Sequence, residues 1–377
     1  MSEVRRVLIL AVRAGAGHLR AAQALEAALR QGHPGVEVHN VDALEYTNPA
    51  FRKSFSSGYE KLAGNLPSVW KYIYDQMERK EVNSKTQRLT AMFDRLNARP
   101  LADLVADFDP DAIICSHYMP AEILGPRRRK GKLRAPLYVV LTDYDIHTMW
   151  VQPGVDRYFV ATEEMAYALR TKGIGEASIS VAGIPIMPVF SQRFPDRAAM
   201  RRKLGLRSDA PTALVAAGGF EGAHAGKIVA ALAEAADDAQ LLAFSGRHEK
   251  LKATMEKVAA QHPGKVVAYG FVDNMHELMA ASDFAITKSG GLTSSECLAM
   301  GLPMVIFNPI PGQEERNADY LLERGAALRA NSAAHLVYKA RRLLTEPDLR
   351  QRMSAAARQT ARPRAAASIV AEVVGGR

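Results

Sequence analysis

The chain has 377 residues, with 48% hydrophobic and 24% charged side chains. That is long enough for two domains at roughly 150 residues each, and its balance excludes a disordered, collagen-like or coiled-coil chain. Its net charge of +9, from 49 basic and 40 acidic residues, suggests attraction to anionic surfaces. Only two cysteines are present, Cys115 and Cys297, both in apolar contexts, so a disulfide scaffold is excluded and a reduced, cytoplasmic chain is expected.

In chain order, short apolar runs alternate with amphipathic stretches, the βαβ pattern of a parallel sheet covered on both faces. The first series opens with a strand over 7–12, too short at Arg13 to be a signal or a membrane span, so membrane contact is expected to be peripheral. A glycine turn with Gly15 and Gly17 follows, then a helix over 18–30 with Ala22, Leu25 and Leu29 on one face. Further strands are expected over 111–116, 136–142 and 157–161. A proline-rich stretch over 183–196 reads as a linker, which gives domains of 1–185 and 186–377, the second ending in a helical tail. The second series has strands over 212–219, 240–246, 265–270, 284–287 and 303–307. The fold class is α/β with two Rossmann-like, doubly wound domains, and ligands of such sheets bind at the carboxyl ends of the strands.

Three glycine turns carry chemistry. His18 follows the first, where an imidazole can take a proton from a hydroxyl near neutral pH. Gly218 and Gly219 close a strand ahead of Glu221, Gly222 and Ala223 at a helix start, forming a phosphate-sized nest. The segment KSGGLTSSECLAMG (288–301) repeats the strand, turn and helix start with Ser289, Gly290 and Gly291. Within it Thr293 and Glu296 have capping-box spacing; the rival reading has Glu296 accept hydrogen bonds from two ribose hydroxyls. Gln313, Glu314 and Asn317 open a later helix with donors and acceptors suited to a polyol. Asp143 and Asp145 form a D-x-D pair that reads as a turn, and there is no P-loop sequence.

The segments GAGHLRAAQAL (15–25), TDYDIHTMWVQPGVDRYFVATEE (142–164) and the block from 270 to 318 resemble glycosyltransferase family 28. The likeness is to its branch of processive diacylglycerol glucosyltransferases and monogalactosyldiacylglycerol synthases. The resemblance implies a GT-B fold with a central cleft, a UDP-hexose donor and a diacylglycerol acceptor. It also implies inversion to a β-glycoside, no cofactor and no metal. By motif, His18 is implied as catalytic base, and Gly218, Gly219, Ser289, Gly290 and Gly291 as phosphate-facing. Phe271 and Val272 would edge uracil, Thr293 and Glu296 would belong to the nucleotide site, and Gln313 and Glu314 would hold the sugar. Two alternatives remain. One is a UDP-N-acetylglucosamine transferase acting on a peptidoglycan lipid intermediate; the other is a non-catalytic nucleotide-sugar-binding module.

Diacylglycerol stays in the bilayer, so docking on an anionic membrane surface at the inner face of the cell membrane is expected, and no nucleic acid is expected. Leu66, Val69, Trp70, Ile73 and Met77 recur at helical spacing beside Lys53, Lys61 and Lys71. Lys61, Trp70 and Lys71 are therefore the expected membrane contacts. The run RRRKGKLR (127–134), with six basic residues and no acid, is the second candidate surface.

Overall fold

A computed structural model describes residues 4–13, 15–49, 52, 69, 71–72, 76, 78, 99–220, 224–235 and 238–375. The chain divides into two compact units, one of Met1–Pro188, Ile310–Gln313 and Arg362–Arg377, the other of Val189–Pro309 and Glu314–Ala361.

The first unit holds β1 (Arg6–Ala11), β2 (Glu37–Asp42), β3 (Ala112–Cys115), β4 (Leu137–Val140), β5 (Arg157–Val160) and β6 (Ile179–Val181). All pair in parallel in the order β2-β1-β3-β4-β5-β6. Its helices are α1 (Gly17–Gly32), a helix over 99–108, α2 (Tyr118–Arg129) and α3 (Glu163–Thr171). The central strands are buried on both faces, which is why they read as unbroken apolar runs. The edge strands β2 (EVHNVD) and β6 (ISV) escape that reading because they are only partly covered.

The second unit holds β7 (Thr212–Ala216), β8 (Gln240–Phe244), β9 (Val266–Tyr269), β10 (Phe284–Thr287), β11 (Met304–Phe307) and β12 (Ala327–Ala330). Their order is β12-β11-β10-β7-β8-β9, again parallel throughout. The covering helices are α4 (Arg197–Lys203), α5 (Ala225–Ala235), α6 (Glu249–Gln261), α7 (Met275–Ala281), α8 (Gly291–Ala299), α9 (Gln313–Glu323), α10 (Ala333–Thr345) and α11 (Pro347–Thr360). Edge strand β12 (ALRA) is the third strand that hydropathy does not reveal.

One boundary differs from the sequence expectation. The carboxyl-terminal tail does not stay whole with the second unit: α12 (Ala365–Gly375) belongs to the first. Its Ala366, Ile369, Val370 and Val373 enter one apolar cluster with Ala22, Leu25 and Leu29 of α1 and Val7 and Ile9 of β1. Glu372 completes the attachment, accepting hydrogen bonds from Arg157 at 2.9 Å and Ser180 at 2.7 Å.

Gly125, inside α2, has a steric role. A Cβ there would stand 2.0 Å from the Pro153 carbonyl oxygen, and one on Gly154 would stand 2.3 Å from the Gly125 oxygen. Backbone lies directly on backbone, so Gly125→Ala should destabilise the first unit by about 1–3 kcal/mol. Trp150, close by in sequence, makes fluorescence-detected denaturation the measurement, and an unchanged midpoint would refute the close approach.

Candidate active site

In each sheet the strand order reverses direction at one place, and crevices in doubly wound sheets open outside the strand carboxyl ends there. In the first unit that place is between β1 and β3, which carry the chain into the glycine turn and into Ser116. Gly15 has a φ of +83°, a left-handed conformation that glycine adopts without strain, and Gly17 begins α1.

His18 lies in the first turn of α1, partly exposed, with Nδ1 2.8 Å from the Ser116 carbonyl oxygen. A carbonyl only accepts, so Nδ1 carries the proton and Nε2 keeps its lone pair. Thr142 Oγ1, 3.0 Å from the same nitrogen, then shares that proton as a second acceptor. Ser116 Oγ donates back to the His18 carbonyl at 3.0 Å, closing a reciprocal pair. The imidazole is thus held in one tautomer with a free basic nitrogen. Burial lowers its pKa below the ordinary 6.5; Asp143 and the Ser116 hydrogen bond oppose that shift without cancelling it. His117 packs edge-on at 4.6 Å, and burial followed by the neighbouring His18 lowers its pKa further still. Its Nδ1 accepts the Met119 N–H at 3.1 Å, which caps α2. Asp143 therefore stands as an electrostatic neighbour of His18. Among the described residues, no group of three or more His, Cys, Asp or Glu side chains could hold a metal ion.

In the second unit the reversal lies between β7 and β10. Gly218 and Gly219 leave β7 in a single 3-10 turn, and a Cβ on Gly218 would reach the Ser245 carbonyl oxygen at 3.5 Å. Glu221, Gly222 and Ala223 lie outside the described residues. From β10 the chain enters Ser289, Gly290 and the start of α8. Gly290 is the N-cap and no side chain caps the helix, so the capping-box alternative for Thr293 and Glu296 fails. Thr293 is the third helical residue and Glu296 the sixth, a turn too deep to reach the end; Glu296 is 7% exposed.

Helix α9 is locked onto this turn. Ser289 Oγ donates to the Glu314 carbonyl at 2.6 Å, and Asn317 Nδ2 donates to the Ser289 carbonyl at 2.9 Å. Both side chains are fully buried, so Asn317 positions the turn instead of meeting a polyol as its sequence context suggested. Glu314 Oε1 lies 3.7 Å from where a Gly290 Cβ would be, next to the start of α8. Gln313 begins α9. Phe271 and Val272 follow β9, two strands from β7; Phe271 is 56% exposed, and the Arg247 guanidinium sits 3.9 Å over its ring. Sequence reading passed over Ser116, Thr142 and Arg247, because nothing local marks a residue whose role is set by a neighbouring strand.

The expected membrane contacts Lys61 and Trp70 lie outside the described residues; Lys71 is exposed, as are Val69 (45%) and Tyr72 (66%). In the run 127–134, Arg128 is spent internally, bidentate to Asp156 at 2.9 Å.

Two six-stranded Rossmann-like sheets, each with a glycine turn and a helix amino end at its reversal point, form the GT-B fold of glycosyltransferases. Residues 18–186 match the monogalactosyldiacylglycerol (MGDG) synthase family and residues 196–360 the glycosyl transferases group 1. The chain is 30% identical over 362 residues to the processive diacylglycerol beta-glucosyltransferase of Bacillus subtilis (strain 168), covering 94% of this chain and 90% of the relative. The Bacillus pumilus (strain SAFR-032) protein of the same name is 30% identical over 361 residues, covering 92% and 89%. The chain belongs to this family of glycosyltransferases. Among solved structures it is similar to Acinetobacter baumannii MurG, at a TM-score of 0.62 and 17% identity over 99% of this chain and 100% of that one. It is also similar to an S. aureus MnaA-UDP structure, at 0.61 and 14% over 98% and 96%, and both likenesses concern the fold.

Proposed function

We propose that the protein is an inverting glycosyltransferase that moves glucose from UDP-glucose to diacylglycerol, forming a β-glucosyl diacylglycerol. The observation that carries this reading is the 30% identity to a processive diacylglycerol beta-glucosyltransferase along 94% of the chain. His18 Nε2 takes the proton of the acceptor hydroxyl, whose oxygen attacks the anomeric carbon from the face opposite the diphosphate. The bond to the β-phosphate oxygen breaks, and UDP departs with the electron pair. Backbone amides at Gly218–Gly219 and Ser289–Gly291, with the amino end of α8, meet the charge that grows on the diphosphate. Phe271 and Val272 edge the uracil, Glu296 with Thr293 beside it serves the ribose, and Gln313 and Glu314 hold the hexose. Stabilisation by amides and helix ends needs no cofactor. The test is a panel of UDP-sugars against diacylglycerol in mixed micelles, with and without excess EDTA, products being identified by mass spectrometry and anomeric NMR. A β-linked glucosyl product formed in EDTA is expected; an α-linked product, or UDP-N-acetylglucosamine as the one accepted donor, overturns the reading.

Glu296→Ala should weaken UDP binding by about 1–3 kcal/mol, the range for a lost hydrogen bond that leaves its partner buried. Calorimetric titration with UDP measures it, and unchanged affinity would remove Glu296 from the ribose.

Diacylglycerol stays in the bilayer, and no described helix is long and apolar enough to cross a membrane. The reading therefore places the protein peripherally at the inner face of the cell membrane. Exposed Val69, Lys71 and Tyr72 support docking through the aromatic, basic stretch that also holds Lys61 and Trp70. Each basic residue there contributes about 1 kcal/mol toward an anionic surface. Cosedimentation with vesicles should rise with phosphatidylglycerol, fall with salt, and drop when Lys61, Trp70 and Lys71 are replaced by alanine. Normal binding by that variant would move the docking surface elsewhere.

A further inference from the structure

The second unit contains a pocket of about 400 Å³ lined by Arg197, Asp283, Pro347, Arg350, Gln351, Ser354 and Arg358. It lies at the amino end of β10, whereas the candidate donor turn follows the carboxyl end of that strand, roughly 16 Å away along the chain. The pocket is therefore no part of the site described above.

Its charge is unbalanced. Three guanidiniums face one carboxylate, and Asp283 is already committed elsewhere: it takes Arg201 Nη2 at 2.6 Å and the Thr212 N–H at 2.8 Å. Each lining arginine is fixed along one edge by a neutral partner. Arg197 Nε donates to the Ser282 carbonyl at 2.8 Å, with Asp283 more distant at 3.7 Å. Arg350 Nη1 caps α10 through the Leu343 and Leu344 carbonyls. Arg358 Nη1 donates to Ser354 Oγ at 2.7 Å, and its guanidinium lies against Gly301, where a Cβ would be 2.7 Å away. Neither Arg350 nor Arg358 is paired with a carboxylate among the described residues. Pro347, Gln351, Ser354 and Arg358 repeat at helical spacing, so one face of α11 forms a wall of the pocket.

Held by one edge, an arginine keeps the other edge of its fork available. Three such forks from α4 and from both ends of α11 suit an anion with several oxygens in three dimensions; a planar carboxylate fills one fork. We propose that this pocket binds a phosphate group carried as a monoester or diphosphate, whose charge of about −2 at pH 7 balances the excess cations. Burial lowers the pKa of Arg197; the Asp283 carboxylate opposes that shift, and Arg358, Arg201 and Arg350 add to it. The inference does not depend on the proposed reaction.

The test uses the full chain and pyrophosphate as probe, by calorimetric titration in chloride buffer, with Arg358→Gln and Arg197→Gln as variants. Arg358 is exposed, so its variant should keep the wild-type melting temperature. Wild-type protein should show a pyrophosphate affinity that falls roughly tenfold or more in each variant, the loss expected of a charge-assisted hydrogen bond. A parallel arm uses phosphatidylcholine vesicles with and without phosphatidic acid. Phosphatidic-acid binding that falls with Arg358→Gln supports the site with the phosphate borne by a lipid. A loss seen with pyrophosphate alone supports it with a soluble phosphate ester. Failure to bind either probe, or binding unchanged by Arg358→Gln, overturns the proposal.

Discussion

Replacing His18 with alanine is expected to lower kcat by roughly 100- to 10,000-fold, the span of a general base, with UDP affinity largely kept. The melting transition of the first unit, followed by the fluorescence of its Trp150, separates a lost base from a lost fold. The pH dependence follows from the same geometry. His18 is a base only when neutral, and burial sets its pKa below the ordinary 6.5. Activity should therefore persist below pH 6.5 and fail only as the pH drops through the lowered value. Asp143 acts in the opposite sense, so Asp143→Asn should move that acid limb lower still. Stability has a matching sign. Between the lowered folded pKa and the unfolded value the unfolded chain binds more protons, so the contribution of His18 is present above the unfolded value and lost as pH falls through the folded one. A kcat unchanged in His18→Ala would remove this residue from the chemistry, and an acid limb above pH 6.5 would contradict the lowering of its pKa by burial.

The largest effect on stability is expected at Arg201. Its side chain is 7% exposed and gives Nη2 to Asp283, Nε to the Ala281 carbonyl at 2.9 Å and Nη1 to the Ser208 carbonyl at 3.3 Å. Asp283 in turn receives the Thr212 N–H, so one pair ties α4, the end of α7 and the starts of β7 and β10 together. Arg201→Ala would leave the Asp283 carboxylate short of its principal partner, at a cost of about 3–5 kcal/mol. Both tryptophans, Trp70 and Trp150, precede residue 189, so fluorescence follows the first unit while circular dichroism follows both. The variant should show an early transition by circular dichroism that fluorescence does not share. A loss below about 1 kcal/mol would mean that the pair behaves like an exposed ion pair.

The architecture was legible in the sequence wherever burial is symmetric. Central strands such as β1, β3, β7 and β10 lie between two helical layers, so nearly every residue is apolar and each run stands out. The first glycine turn was legible for a different reason: a φ of +83° at Gly15 is a backbone demand that restricts the residue type. That reach ended at three of the four edges, where half-covered β2, β6 and β12 carry mixed residues.

His18 could be singled out from its place after the first strand, but not what holds its ring in one tautomer. Ser116 and Thr142 stand 98 and 124 residues away, and only the adjacency of β1, β3 and β4 brings their oxygens to Nδ1. The same holds for Arg201 with Asp283, for the arginines of the pocket, and for α12, whose alanine-rich sequence fits either unit until its apolar face meets α1. Backbone conformation and hydrophobic burial act over a few residues and leave a local signature. Tautomer, ion pairing and helix docking depend on which strand ends and helix faces the sheet order makes neighbours, and that only the tertiary structure decided.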